Sequence, residues 1–249
     1  MNKFIPTIVS RPQSSNLMNV LVPVIAVILT LLTGSIIFSI MGFNPFFALH
    51  TFFISPISTS YGISELLVKA TPLALIAIGL AFCFKNNIYN IGAEGQLTMG
   101  AIFGGGIGIY FYDTNAFWLL PLMILGGAIG GALWAMIPAL LKTKFNTNEI
   151  LTSLMLVYVA LLILDYLVVG PWKDPLGYSF PKTRQFSESG RMPLLFSGLR
   201  VHFGLIITLV LIFFSWFIFS KTIFGFQLKV SGYSPTAARY AGFSQNILV

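Results

Sequence analysis

Long apolar segments alternate with short polar ones along the chain. No Asp, Glu, Lys or Arg occurs between Arg11 and Glu65, or between Asp113 and Lys142. A helix needs about 20 predominantly apolar residues to cross the hydrocarbon core of a bilayer. Because the apolar runs have helical length and do not alternate like strands, they predict transmembrane helices and not a closed barrel. We predict six spans, at residues 20–42, 66–84, 92–112, 116–141, 149–169 and 202–220.

The composition supports this assignment. Of the 249 residues, 56% are hydrophobic and 8% are charged, and the mean hydropathy is +0.87. A soluble domain carries about 25% charged residues, so this chain has too few to cover a water-exposed surface. We therefore predict an all-α, polytopic transmembrane bundle. Residues 43–64 are apolar but contain Pro45 and Pro56, which favours an interfacial helix near residues 45–54 on the outer face.

The positions of the basic residues predict the topology. Cytoplasmic loops of membrane proteins are enriched in Lys and Arg, and the net charge of +7 is spread over loops without forming a continuous basic face. We therefore predict a cytoplasmic tail at 1–19, a transmembrane domain at 20–220 and a cytoplasmic segment at 221–249. The basic residues on the inner side are then Lys3, Arg11, Lys85, Lys142, Lys144, Lys221, Lys229 and Arg239. The long 170–201 loop also carries basic residues, partly offset by Asp174 and Glu188, and is assigned to the outside.

Glycines recur at helical spacing in the third and fourth predicted spans. They lie four residues apart, at Gly100, Gly104 and Gly108, at Gly126 and Gly130, and at Gly127 and Gly131. Small residues on one face of a transmembrane helix allow close backbone approach. This pattern indicates tight helix packing, and a sliding surface used in transport is the alternative.

Several kinds of chemistry have no sequence signature. The chain contains no GxxxxGK[ST], GxGxxG, HExxH or GxSxG motif, and its only cysteine, Cys83, excludes a disulfide framework or a paired-cysteine zinc site. His50 and His202 lie far apart in the sequence. We therefore predict a protein that is not an enzyme, with Cys83 serving only in packing and with no metal site.

The stretch from Asn90 to Gln96 places polar residues at the start of the third span. Asn90 is a candidate N-cap, and Glu94 would lie in the first turn, where it favours the positive end of the helix by about 0.3–1 kcal/mol. The alternative is functional: Glu94 and Gln96 would line a polar path or gate, and Gly92 and Gly95 would permit a mobile backbone, as at the interrupted helices of transporters.

The polar segment from Gly225 to Asn246 contains a second candidate site. Ser234 is a good N-cap and Pro235 a good first helical residue, and Gly242 is a natural helix stop. The two predicted turns, Thr236 to Ala241, are too short to be stable alone. This helix must therefore dock, either onto its own bundle or onto a cytoplasmic partner as well.

These two motifs, in this order, resemble the permease subunits of ATP-binding-cassette importers. The resemblance is greatest to nucleoside-type permeases that work with basic-membrane-protein lipoproteins and are related to ribose and simple-sugar permeases. The matching segments are Leu67 to Leu73, Asn90 to Gln96, Thr147 to Ile150, Leu154 to Leu156, Gly170 to Pro175 and Ala237 to Gly242.

The resemblance implies a permease in the bacterial cell (inner) membrane that forms half of a pathway, with nucleosides as cargo and simple sugars as the alternative. Its partners would be an ATPase subunit that binds ATP and Mg, a second permease subunit and a substrate-binding lipoprotein, and the chain itself would hold no cofactor. A coupling helix at about 234–242 would fit a cleft in the ATPase. The implied coupling residues are Gly232, Pro235, Ala237, Ala238, Arg239 and Gly242. The implied pathway or gate residues are Asn90, Gly92, Glu94, Gln96, Asn148 and Glu149.

The chain departs from the family pattern at two places. Val157 stands where these permeases usually have Asn, which removes a polar group from the fifth span. The sequence also ends at Val249, whereas relatives continue with further spans, so the expectation includes a truncated or split gene product. An inactive permease remnant or a non-transporting membrane scaffold are the corresponding alternatives to an active permease.

Overall fold

A computed structural model describes residues 15–178 and 180–244. These residues form helices without strands, apart from two isolated bridges, Lys173 to Thr183 and Leu194 to His202. The predicted all-α class is confirmed. The α-helices are α1 Asn16–Ile40, α2 Pro45–Leu49, α3 Ser60–Lys85, α4 Ala93–Tyr110, α5 Leu119–Phe145, α6 Glu149–Val169, α7 Gly204–Lys221, α8 Ile223–Tyr233 and α9 Pro235–Tyr240. Lys3, Arg11 and Asn246, which the sequence analysis used, lie outside the described residues.

The chain divides into two compact units, and the boundary along the sequence falls between Ile63 and Ser64. In the first unit, the Asn44 side chain accepts hydrogen bonds from the backbone N–H groups of Phe46 and Phe47 and so caps α2. The chain continues as a π-helix, His50–Ile54, and a 3-10 helix, Ser55–Ile57. The short helix predicted near residues 45–54 is therefore present, and its position on the outer face remains a prediction.

Within the described residues, five helices are long and apolar enough to cross a membrane: α1, α3, α5, α6 and α7. The chain is therefore a multi-pass membrane protein. The third predicted span, 92–112, does form the 18-residue helix α4, but α4 is not among these five. Glu94, Gln96 and its glycines lower its hydropathy. Because α4 packs against both α5 and α6, much of its surface is covered by protein and need not match lipid.

The glycines of α4 and α5 face each other, as the predicted tight packing requires. A Cβ atom on Gly104 would lie 2.7 Å from the carbonyl oxygen of Met123, and one on Gly100 would lie 2.9 Å from that of Gly127. Backbone atoms cannot rotate aside as side chains can, so larger residues at these positions would push the helices apart. Close glycine contacts thus hold α4 against α5.

Helix α8 is not predicted from the sequence. Hydropathy falls after Lys221, which predicts a polar segment before the short helix. Instead the Thr222 side chain accepts a hydrogen bond from Gly225 N–H at 3.1 Å and begins a new helix. Leu228 is buried in this helix, which shows that tertiary packing stabilises it despite its lower hydropathy.

Candidate functional site

Residues 86–92, here called the junction segment, connect α3 to α4. Asn87 ends α3 in a left-handed conformation (φ 58°), and Ile88 N–H donates back to the Cys83 carbonyl at 3.0 Å. This hydrogen bond and the Asn87 N–H bond to Phe84 form a Schellman-type ending. The junction segment therefore leaves α3 in a defined direction.

Asn90 organises the junction segment but is not the helix N-cap that the sequence predicted. The N-cap is Gly92, because α4 begins at Ala93. The Asn90 side-chain oxygen accepts a hydrogen bond from Gly92 N–H at 2.9 Å, and its amide nitrogen donates to the Gln96 side-chain oxygen at 3.2 Å. Asn90 thus fixes the local turn before α4 and orients Gln96.

The beginning of α4 packs directly on α6. A Cβ atom on Gly92 would lie 2.8 Å from both Cβ and the carbonyl oxygen of Ser153, and one on Gly95 would lie 2.9 Å from the Cα of Val157. Ile91 N–H also donates a hydrogen bond to the Ser153 hydroxyl at 3.2 Å. The two glycines of the motif therefore permit close approach of α4 to α6, and the buried Val157 lies at that contact.

A cavity of about 100 Å³, here called the inner cavity, lies beside the junction segment. Its polar lining consists of Asn90, Gln96, Lys142, Glu149 and Ser153, and Cys83 contributes a thiol. Ligand pockets typically enclose about 300–1,000 Å³, whereas one water occupies about 30 Å³ in the liquid. The inner cavity of this single chain has room for a few waters and is smaller than a typical ligand pocket.

An ion pair closes the loop between α5 and α6 at this cavity. Lys142 Nζ lies 2.9 Å from Glu149 Oε2, and both side chains are partly buried. Next to Glu149, the Asn148 side chain accepts hydrogen bonds from Ile150 N–H at 3.0 Å and Leu151 N–H at 3.3 Å and caps α6. In the sequence, Lys142 contributes only to the predicted topology. A basic residue in the last turn of α5 and an acidic residue at the first position of α6, seven residues later, is the signal in the sequence that could indicate the pair.

Of the candidate pathway residues, the structure brings together Asn90, Gln96 and Glu149 at the inner cavity. Gly92 and Asn148 hold the adjoining backbone in place. Glu94 is different: it lies in the first turn of α4, as predicted, but is exposed and does not line this cavity. Within the described residues, no group of three or more His, Cys, Asp or Glu residues could hold a metal ion.

The second candidate site, α9, has the caps that the sequence predicted. The Ser234 hydroxyl accepts a hydrogen bond from Ala237 N–H at 3.3 Å. At the other end Gly242 has φ +79°, with Gly242 N–H bonded to Arg239 and Phe243 N–H bonded to Ala238, as in a Schellman motif. Ala238 is fully buried, whereas Tyr240 is 97% exposed. One side of α9 is therefore held by its own chain, and the other side faces outward.

Gly232 connects α8 to the junction segment. A Cβ atom on Gly232 would overlap the carbonyl oxygen of Lys85 and would lie 3.3 Å from the carbonyl carbon of Asn86. The end of α8, immediately before α9, therefore rests on the backbone where α3 ends. This contact joins the surroundings of α9 to those of the inner cavity.

Comparison with known proteins identifies the family. Residues 62–249 match the family described as the branched-chain amino acid transport system / permease component. The chain belongs to this permease family. No solved structure matches the chain significantly.

Three curated relatives resemble the permease over most of its length. The glucose ABC transporter permease protein TsgB13 of Haloferax volcanii is 34% identical, covering 90% of this chain and 61% of the relative. The guanosine ABC transporter permease protein NupP of Bacillus subtilis is 33% identical, with 92% and 66% covered. The nucleoside ABC transporter permease protein NupB of Lactococcus lactis is 31% identical, with 90% and 64% covered. The chain thus spans less than two thirds of the length of these relatives.

At the other end of α6, the described residues of the following loop pack on α4 and α5. A Cβ atom on Gly106 would lie 3.0 Å from the Trp172 ring, and one on Gly108 would lie 2.8 Å from Phe186. The Ser189 hydroxyl donates to the Thr114 carbonyl at 3.0 Å. The described parts of this loop, 170–178 and 180–201, are therefore anchored by Trp172 and Phe186 against the glycines of α4.

Proposed function

We propose that this permease is a transmembrane subunit of an ATP-binding-cassette importer for nucleosides. In this proposal it pairs with a second permease subunit to form the pathway. A separate ATPase subunit binds ATP and Mg, and an external lipoprotein delivers the substrate. The chain lies in a bacterial cell membrane with its N-terminus in the cytoplasm, which places the junction segment and α9 on the inner side.

The main support for the proposal is the structure of α9, a short capped helix with one buried side and one exposed side. A six-residue helix is not stable alone in water, and here two caps and the buried Ala238 stabilise it. Ala237 and Tyr240 are exposed on the opposite side of this stabilised helix. We infer that this exposed side docks into the ATPase subunit and that Gly232, Pro235, Arg239 and Gly242 maintain the helix and its position.

In this proposal the inner cavity is part of the substrate path, and it must widen before a substrate can pass. At about 100 Å³ it is smaller than the usual ligand pocket, so a nucleoside requires either a wider conformation or walls from the second subunit. Asn90, Gln96 and Glu149 would form polar lining of this path. Gly92 and Asn148 would position that lining, and Glu94 would act at the adjacent exposed end of α4.

The relatives support nucleosides and also a second candidate substrate. Two of the three are named for guanosine or nucleosides, which agrees with the resemblance found in the motifs. The third is named for glucose, and this observation favours simple sugars as the alternative cargo.

Uptake measurements test the proposal. We expect cells carrying the complete gene cluster to take up labelled guanosine, and deletion of this gene alone to abolish that uptake. Excess unlabelled nucleoside should compete, whereas excess glucose should not. Uptake of glucose and not guanosine would replace the nucleoside assignment by the sugar assignment, and unchanged uptake of both after deletion would contradict a role as importer permease.

A further inference from the structure

The Lys142–Glu149 ion pair joins the ends of α5 and α6 beside the inner cavity. Both residues line the inner cavity, and they belong to the end of α5 and the first residue of α6. Asn146, Thr147 and Asn148 alone connect the two helices, with Asn146 in a left-handed conformation (φ 50°). The separation of the helix ends at the cavity therefore depends on this turn and on the ion pair.

The pair differs from an ordinary surface salt bridge in its surroundings. Exposed pairs contribute about 0–1 kcal/mol because water screens them. Here the exposed fractions of the side chains are 31% for Lys142 and 17% for Glu149, and the N–O distance of 2.9 Å is that of a charge-assisted hydrogen bond. Removing one partner would leave the other charge unpaired beside Ala135, Pro138 and Ala139, which also line the cavity, so water entry there becomes favourable.

The opposite wall of the inner cavity is linked to α8. Asn90 and Gln96 are hydrogen-bonded to each other at 3.2 Å, and they follow the Lys85–Asn86 backbone on which Gly232 rests. A displacement of α8 and α9 would therefore move the junction segment relative to the part of the cavity lining that α5 and α6 contribute. The ion pair connects α5 and α6 within that part of the lining.

We propose that Lys142 and Glu149 form a latch that keeps the inner cavity narrow until a displacement of α8 and α9 opens it. Lys142 is then a gate residue in the transport reaction, with Glu149 as its counter-charge. This inference rests on the proposed function, but the latch itself concerns only access to the cavity. Access can be measured without knowing the substrate.

The thiol of Cys83, which lines the inner cavity, provides the measurement. We would treat membrane vesicles containing the full transporter with a water-soluble thiol reagent and quantify modification at Cys83 by peptide mass spectrometry. Thiol modification requires a thiolate that the reagent can reach. Glu149→Gln and Lys142→Met change the charge beside Cys83 in opposite directions, yet we expect both variants to be modified several-fold faster than the wild type, because both open access to the cavity. Lys142→Arg, which keeps the charge, should react at the wild-type rate.

Two further variants separate a latch from a general packing defect. Lys144→Met removes an exposed neighbouring charge on the same helix end and should leave the rate unchanged. The double variant Lys142→Met/Glu149→Gln should react no faster than either single variant, because both lose the same interaction. Wild-type rates in the single variants, additive rates in the double variant, or equal acceleration by Lys144→Met would each overturn the latch. Loss of guanosine uptake without faster Cys83 modification would also count against it, whereas faster modification without any nucleoside uptake would retain the latch and refute only the cargo.

Discussion

At the scale of single residues, the glycines of α4 determine how closely α4 and α5 approach. Gly104 is buried, and its missing side chain leaves space for the Met123 carbonyl. Gly79 is a matched glycine inside α3 with no atom within 4 Å of the position that a Cβ would occupy. The two positions share helical backbone and differ in what surrounds them.

We expect Gly104→Ala to destabilise the bundle by about 1–3 kcal/mol, the usual range for overpacking. Gly79→Ala should be neutral or stabilise α3 by about 0.5–1 kcal/mol, because alanine loses less backbone entropy in a helix. Thermal unfolding of both variants in detergent checks this. Equal melting temperatures for Gly104→Ala and the wild type would contradict the close α4–α5 contact.

Asn90 and Lys142 show where reasoning from residue types is limited. An Asn before a helix is a good cap candidate, but the helix begins three residues later, so Asn90 bonds to Gly92 and Gln96 instead. Lys142 resembles any basic residue that flanks a span. Its pairing with Glu149 depends on the direction in which the α5–α6 turn returns the chain, which a one-dimensional pattern does not contain.

At the scale of elements, substitutions on the two sides of α9 are expected to have different effects. Ala238 is fully buried within its own chain, whereas Tyr240 is almost fully exposed. A substitution at Ala238 would therefore disturb the support of α9 as well as any partner contact. Ala237 and Tyr240 are the better positions at which to test docking.

We expect Tyr240→Ala to weaken association with the ATPase subunit by about 2 kcal/mol, as for an aromatic hot spot at an interface. Tyr178→Ala, at an exposed tyrosine in the 170–201 loop, is the matched control and should have no effect. Co-purification of the ATPase subunit with each variant, at equal amounts of permease in the membrane, gives the comparison. Undiminished association of Tyr240→Ala would show that docking uses another surface.

The elements differ in how well the sequence predicts them. The ends of α9 follow directly from Ser234 and Gly242, because capping is local. The apolar spans can be predicted from hydropathy, because hydropathy is also a property of the local sequence. Helix α8 does not, since Gln227 and Lys229 lower its hydropathy and its stability comes from the Thr222 cap and the burial of Leu228. Tertiary contacts of this kind have no periodic signature in so short a segment.

At the scale of the whole molecule, a close backbone contact lies between the two candidate sites. The Lys85 carbonyl at the end of α3 touches Gly232 at the end of α8. On one side of this contact lies α9, and on the other lies the junction segment with Asn90 and the inner cavity. A displacement of α8 would press on this backbone, so the contact is a physical connection through which the two sites could be coupled.

We expect Gly232→Ala to separate ATP hydrolysis from transport. The added methyl group would meet the Lys85 carbonyl and the Asn86 backbone, so α8 would be displaced while the exposed side of α9 is kept. Uptake by the assembled transporter should fall about tenfold, equivalent to roughly 1.4 kcal/mol of lost coupling, while ATP hydrolysis persists. Uptake and hydrolysis are measured together in membrane vesicles, with Gly79→Ala as the control glycine. A parallel loss of both activities would indicate failed assembly, and wild-type uptake would show that the signal between α9 and the inner cavity takes another route.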